Sequence, residues 1–247
     1  MGKLEAYDKR LDYSYAPGLF PATECLKNAP ERCLRLLLHS RSEDSTGARS
    51  LREAAERAGV RCEIADRALA RISGKENCFA AMVYKKQEGA LCEAAPHIVL
   101  HHPSDSGNMG TILRAALGFG FRDVAIIRPA VDSDDPRVTR ASMGAAFSLR
   151  VRHFDSFDDY RAAFPERTLF PFMLTGSVPL HEAVRRASGS YSLIFGNEAS
   201  GLPDEFAQLG VPTRIPHSGR IDSLNLAVAA GIGMYAFAQA ADEQNRT

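Results

Sequence analysis

From His97 onward, apolar runs of strand length alternate with helix-prone stretches, and few folds can satisfy that rhythm. The runs HIVLHH (97–102), DVAIIRP (123–129), SLRVRHF (148–154), TLFPFML (168–174), SLIFGN (192–197) and TRIPH (213–217) are the strand candidates. Helix patterns occupy 109–119, 136–146, 179–187, 203–209 and 224–240 between and after them. Such alternation is satisfied by a mainly parallel sheet with helices on both faces, so the predicted class is α/β.

The first 90 residues read as a separate, smaller α/β unit. LRLLLHS (34–40), VRCEIA (60–65) and FAAMVYKK (79–86) are strand candidates. SLREAAERAG (50–59) places Leu51, Ala54, Ala55 and Ala58 at helical spacing, with Gly59 as a stop. The polar, small-residue stretch KKQEGALCEAAP (85–96) marks the linker, giving domains at 1–90 and 97–247.

Composition excludes several classes. Thirty Lys and Arg balance thirty Asp and Glu, so the chain does not live on non-specific attraction to phosphate, although a local basic patch stays open. Five cysteines, odd in number and without a C-x-x-C pair, point to reduced thiols rather than disulfides, and no metal site is expected. No apolar run approaches membrane-spanning length, and MGKLEAYDKR lacks the form of a signal peptide, so no membrane association and a cytoplasmic location are expected. GFGFRD (118–123) lacks the third glycine of a dinucleotide fingerprint, and no phosphate-binding G-x-x-x-x-G-K-[ST] or G-x-S-x-G elbow is present.

Chemistry concentrates in three segments. In SGNMGTILRAALGFG (106–120), Asn108 is placed to cap a helix starting near Met109, and Arg114 lies one turn beyond Gly110, within reach of an anion. In GNEASGLPDE (196–205), Gly196 directly follows a strand, Gly201 closes the turn, and Asn197 and Glu198 stand at the carboxyl edge of the sheet. In IPHSGRIDSLN (215–225), Ser223 is a natural N-cap and Asn225 falls in the first turn of the last helix. His101, His102 and His217 have no partner pattern and read as structural or solvated. The last helix, SLNLAVAAGIGMYAFAQA, is apolar on every side, with Ala227, Ala230, Gly231 and Met234 forming one small-residue stripe. It is read as threaded through the core or packed on a partner subunit, with a plain core helix as the alternative.

In order, NMGTILR (108–114), GNEASGL (196–202) and IPHSGRIDSLN (215–225) resemble the three signature motifs of the SpoU/TrmH family of SPOUT-class RNA ribose 2′-O-methyltransferases. RASMGAAF (140–147) is similar to the element that family carries between its first two motifs. The first domain is similar to the L30e-like RNA-binding domain often fused ahead of that fold. The sequence departs from the family at His217, where Met is usual, and at Leu226-Ala227, where Val-Ser or Val-Ala is commoner.

The resemblance implies a C-terminal trefoil knot, a homodimer, S-adenosyl-L-methionine as methyl donor, and structured RNA, ribosomal or transfer, as substrate. Carried over motif by motif, it makes Gly196, Ile215 and Leu224 holders of the cofactor's adenosine, with Thr175 and Gly176 lining the pocket. Asn108, Arg114, Glu198, Ser223 and Asn225 become the catalytic cluster. In that chemistry Arg114 stabilises the developing oxyanion and clamps the neighbouring phosphate, with Glu198 or the phosphate as proton acceptor. The alternative is a non-catalytic RNA-binding protein of the same fold, which the intact cluster disfavours.

Overall fold

Five strands that all run parallel form the larger sheet of the protein, a computed structural model that describes residues 4–73, 78–174 and 178–244. By its contacts the chain divides into two compact units. Met1–Gln87 joins Asp132–Ser148 in one, and Glu88–Val131 joins Leu149–Thr247 in the other.

In the second unit the strands are β5 (His97–His101), β6 (Asp123–Ile127), β7 (Arg150–Phe154), β8 (Thr168–Pro171) and β10 (Tyr191–Phe195). Their order is β7-β6-β5-β10-β8. The chain steps outward from β5 to β7, jumps to the opposite edge for β8, then inserts β10 beside β5. The direction of winding therefore reverses between β5 and β10, the place in an open α/β sheet where ligand sites form at the carboxyl ends of the strands. Every residue of β5 and β6 is buried, as expected of central parallel strands. Val99, Ala125, Ile127 and Ile194 form one core with Phe154, Tyr160 and Phe206.

Helices α4 (Ser106–Gly118) and α8 (Leu226–Gln244) pack together, and α8 also packs on β10. The remaining elements are α6 (Phe157–Ala163), α7 (Leu180–Ala183) and the two-residue strands β9 (Val178–Pro179) and β11 (Thr213–Arg214), which pair in parallel. At the amino ends of the strands, His97 lies between the Tyr160 hydroxyl and the Cys92 carbonyl, both at 2.9 Å. Burial, with Arg167 nearby, lowers its pKa to about 4, so it is a neutral core residue.

The first unit holds a mixed sheet in the order β1-β4-β2-β3. Its strands are β1 (Tyr13–Pro17), β2 (Cys33–Leu38), β3 (Arg61–Ile64) and β4 (Ala80–Lys85), and its helices α1 (Leu19–Asn28), α2 (Thr46–Arg57) and α3 (Asp66–Ser73). The segment 132–148, which the sequence assigns to the second domain, packs here instead. Asp132 accepts hydrogen bonds from Tyr7 and Lys86, Asp134 pairs with Arg32, and the Phe147 ring meets Tyr84 edge-on at 4.8 Å. The helix expected over 136–146 is α5 (Pro136–Ala141) and a separate turn at Ala145–Ser148. Positive φ at Met143 and Gly144 ends it, and a Cβ on Gly144 would lie 2.7 Å from the Glu24 side chain.

Other expected elements shrink. The stretches 203–209 and 179–187 become a 3₁₀ turn at Asp204–Gln208 and the short α7 with the turn Val184–Arg186. TRIPH contributes only β11. None of the five cysteines is in a disulfide, and no His/Cys/Asp/Glu cluster able to hold a metal occurs among the described residues. No helix among them is long and apolar enough to cross a membrane.

Candidate active site

The loops that leave β5, β8 and β10 meet at the reversal of strand order, and the candidate site is built where they meet. The loop after β10 is a tight closed turn. Asn197 and Gly201 exchange backbone hydrogen bonds at 3.1 and 2.9 Å. The Asn197 Oδ1 accepts from the Ala199 and Ser200 N–H groups, while its Nδ2 donates to the His102 carbonyl at 2.8 Å. One side chain thus shapes the loop and ties it to the end of β5. Gly196 is obligatory, because a Cβ there would lie 2.2 Å from the Gly201 carbonyl carbon.

Glu198 leaves this loop and binds the residues that lead into α4. Its Oε2 accepts from the Ser104 N–H (3.0 Å) and hydroxyl (2.7 Å), and its Oε1 from the Asp105 N–H (3.1 Å) and Asn108 Nδ2 (3.3 Å). Partial burial pushes the carboxyl up, but the Ser104 and Asp105 hydrogen bonds outweigh it and hold it below its usual range. Asn108 in turn accepts from Asn225 Nδ2 at 3.1 Å. The Asn225 Oδ1 accepts from the Ala227 and Val228 N–H groups at 2.9 and 3.3 Å.

Two expected caps are therefore corrected. Asp105 caps α4, accepting from the Asn108 N–H at 2.7 Å, so Asn108 lies inside the helix with its amide free to reach Glu198. Asn225, not Ser223, caps α8, because the loop carries Ser223 onto the cavity wall. Gly110 is buried in the packing face of α4 and is not open to a ligand.

Beside Glu198 lies a cavity of about 420 Å³. Phe172, Phe195, Leu202, Ile215, Leu224 and Leu226 supply its apolar wall, the 196–201 loop one rim, and His217, Asp222 and Ser223 another. Glu198, Asp204 and Asp222 give it three carboxylates, and no Lys or Arg lines it among the described residues. His217 is fixed by Nδ1 against the Ile215 carbonyl at 3.0 Å. His101 is buried against Phe206, and burial, then His102, lowers its pKa to about 4.

The segments separated in sequence thus converge. Asn108, Glu198 and Asn225 form one hydrogen-bonded chain, and Gly196, Glu198, Ile215, Ser223 and Leu224 share the cavity wall. Arg114 stands apart from both. It is exposed on α4, outside the cavity lining, and makes no hydrogen bond or ion pair among the described residues. Thr175 and Gly176 lie outside the described residues. Sequence reasoning missed Ser104, Asp105 and Phe172. The signal for the first two was present in SDSGN, where an aspartate three residues before Asn108 is an equally good cap.

A family model described as the SpoU rRNA Methylase family matches residues 95–235. An uncharacterized tRNA/rRNA methyltransferase of Synechocystis, slr1673, is 30% identical over 144 residues, 56% of this chain and 51% of the relative. The Bacillus subtilis 23S rRNA (guanosine(2553)-2′-O)-methyltransferase RlmP is 28% identical over 158 residues, 63% of this chain and 62% of the relative. The chain thus spans roughly half to three-fifths of the length of these two curated relatives. Among solved structures, the AdoMet-bound rRNA methyltransferase of Sinorhizobium meliloti superposes with a TM-score of 0.78 at 24% identity, covering 92% of this chain and 87% of that one. That likeness concerns the fold.

Proposed function

The chain belongs to the SpoU rRNA methylase family and has its SPOUT fold with a C-terminal trefoil knot, and on that footing we propose that it transfers a methyl group from S-adenosylmethionine to a ribose 2′-hydroxyl of structured ribosomal or transfer RNA. The observation that carries this reading is the convergence of Asn108, Glu198 and Asn225 beside a cavity walled by Gly196, Ile215 and Leu224.

The cavity suits the methyl donor. Its volume lies within the usual range for small-molecule sites, its Phe and Leu wall fits an adenine, and its three carboxylates favour a cationic ligand. When bound, S-adenosylmethionine supplies an electrophilic methyl on a leaving group that needs no acid. The protein is left to position the hydroxyl and balance its developing negative charge. In this reading Arg114 offers a planar fork to a ribose oxygen and its neighbouring phosphate. Its exposure and its freedom from ion pairs among the described residues leave it available for RNA. The cluster's amides orient the hydroxyl, and Ser223 on the cavity wall adds a donor.

The remaining assignments are of the same kind. The first unit is proposed as an L30e-like domain that presents the RNA, the location as cytoplasmic, and the assembly as a homodimer through the exposed apolar face of α8. Val228, Ile232 and Tyr235 are 50%, 37% and 53% exposed on that face, beside Phe119 of the adjoining loop at 37%. Calorimetric titration with S-adenosylmethionine tests the reading: saturable binding without RNA is expected, and no binding contradicts it.

A further inference from the structure

The hydrogen bonds of the cluster run in one direction. The N–H groups at the start of α8 donate to Asn225 Oδ1, Asn225 Nδ2 donates to Asn108 Oδ1, and Asn108 Nδ2 donates to Glu198. One end is a backbone N–H, which can only donate, and the other a carboxylate, which can only accept. Those two ends fix the orientation of both amides between them. Glu198 has little lone-pair capacity left. Besides Asn108 it takes the Ser104 N–H, the Ser104 hydroxyl and the Asp105 N–H, and Asn197 Nδ2 lies 3.4 Å from its Oε2.

A carboxylate so saturated, and held charged, is a poor acceptor for a substrate proton. It is well suited to polarising the amide chain it terminates. We propose that Ser104 is a positioning residue of the methyl-transfer site: its hydroxyl and N–H hold Glu198 as a saturated anion that orients Asn108 and Asn225 and takes no proton from the ribose hydroxyl. The inference rests on the methyltransferase reading above. It moves the acceptor role away from Glu198, one of the two candidates offered by the sequence.

The other ionisable groups around Glu198 do not replace Ser104. Asp105 directs its carboxylate to the Asn108 N–H, Asp204 and Asp222 stand on the cavity wall with His217, His101 ends β5, and His102 follows it, its carbonyl taking the Asn197 amide.

Two readouts test the proposal on wild type, Ser104→Ala and Ser104→Thr. In the protein alone, the Glu198 side-chain carboxyl resonance, assigned by its loss in Glu198→Gln, is titrated by NMR. Loss of one charge-assisted hydrogen bond is expected to raise its midpoint by about one pH unit in Ser104→Ala, with recovery in Ser104→Thr. In single-turnover methyl transfer at saturating donor, Ser104→Ala is expected to move the acid limb upward and lower the alkaline plateau about tenfold, again with recovery in Ser104→Thr. A raised plateau, as a stronger base gives, overturns the proposal. So does an unchanged plateau, or a lowered plateau with both midpoints unmoved. No transfer by wild type defeats the functional reading and the catalytic clause with it, while the NMR titration separately decides whether Ser104 holds Glu198 charged.

Discussion

Gly196 has no side chain because the backbone crosses itself there. Its hypothetical Cβ meets backbone atoms of Gly201 and Leu202 at 2.2–2.4 Å, none of which can rotate away. Gly196→Ala is expected to cost about 1–3 kcal/mol of stability and to weaken S-adenosylmethionine binding, since the displaced loop is a cavity rim. Thermal unfolding and calorimetry check both, and a variant with unchanged affinity would detach that rim from the cofactor. The sequence placed this glycine directly after a strand, and the family resemblance made it a holder of the cofactor, but its contact with a residue five positions on exists only once the 197–201 turn has closed. Caps were legible as a chemistry and not as a position. SDSGN and IDSLN each offer several side chains able to accept an N–H, and only the path of the loop selects Asp105 and Asn225. That selection frees Asn108 for Glu198, which no local pattern announces.

Helix α8 shows where periodicity succeeds and where it stops. Its all-round apolar character called for burial, and of the small-residue stripe Ala227, Ala230 and Met234 are buried while Gly231 is half-buried. The close approach is made at Gly233, whose Cβ would lie 2.6 Å from the Phe172 ring, whereas Gly231 has open space. Small residues at 231 and 233 look alike in sequence, and the choice depends on Phe172 and Phe195, which come from other parts of the chain. If the exposed face of α8 joins two copies, Ile232→Glu or Tyr235→Glu places a charge in that contact. Sedimentation velocity is expected to show a monomer for either variant and a dimer for wild type. An unchanged dimer would place the interface elsewhere. The buried strands β5, β6 and β10 were readable because a parallel core needs continuous apolar runs. Element α1 was not, because it begins after Gly18 at φ 109° with no side-chain cap, leaving no start signal.

Across the whole chain, the sequence separated two α/β units but not the passage of residues 132–148 into the first. Nothing local distinguishes Val138 and Phe147 as core of one unit from core of the other. Removing residues 1–90 would therefore strip the packing from that segment, and point substitutions are the cleaner probe of RNA presentation. Among the arginines of the first unit, Arg35 pairs with Glu63 and Arg52 with Glu43, whereas Arg41 and Arg49 are exposed. Arg41→Glu with Arg49→Glu is expected to reduce RNA methylation, most at low salt and less as salt rises, while leaving cofactor affinity unchanged. Equal methylation by variant and wild type would remove this face from the RNA path.

Three distant segments forming one pocket, in which a ribose hydroxyl meets a methyl donor, require that the methyl group end on ribose. The decisive measurement supplies methyl-labelled S-adenosylmethionine with unmodified ribosomal and transfer RNA transcripts, digests the RNA to nucleosides and locates the label. Wild type is expected to give 2′-O-methylribose nucleosides, with transfer at least about tenfold slower in Arg114→Lys, which keeps the charge and loses the fork. Label on a base, or no transfer to either RNA by a protein that binds the donor, would contradict it.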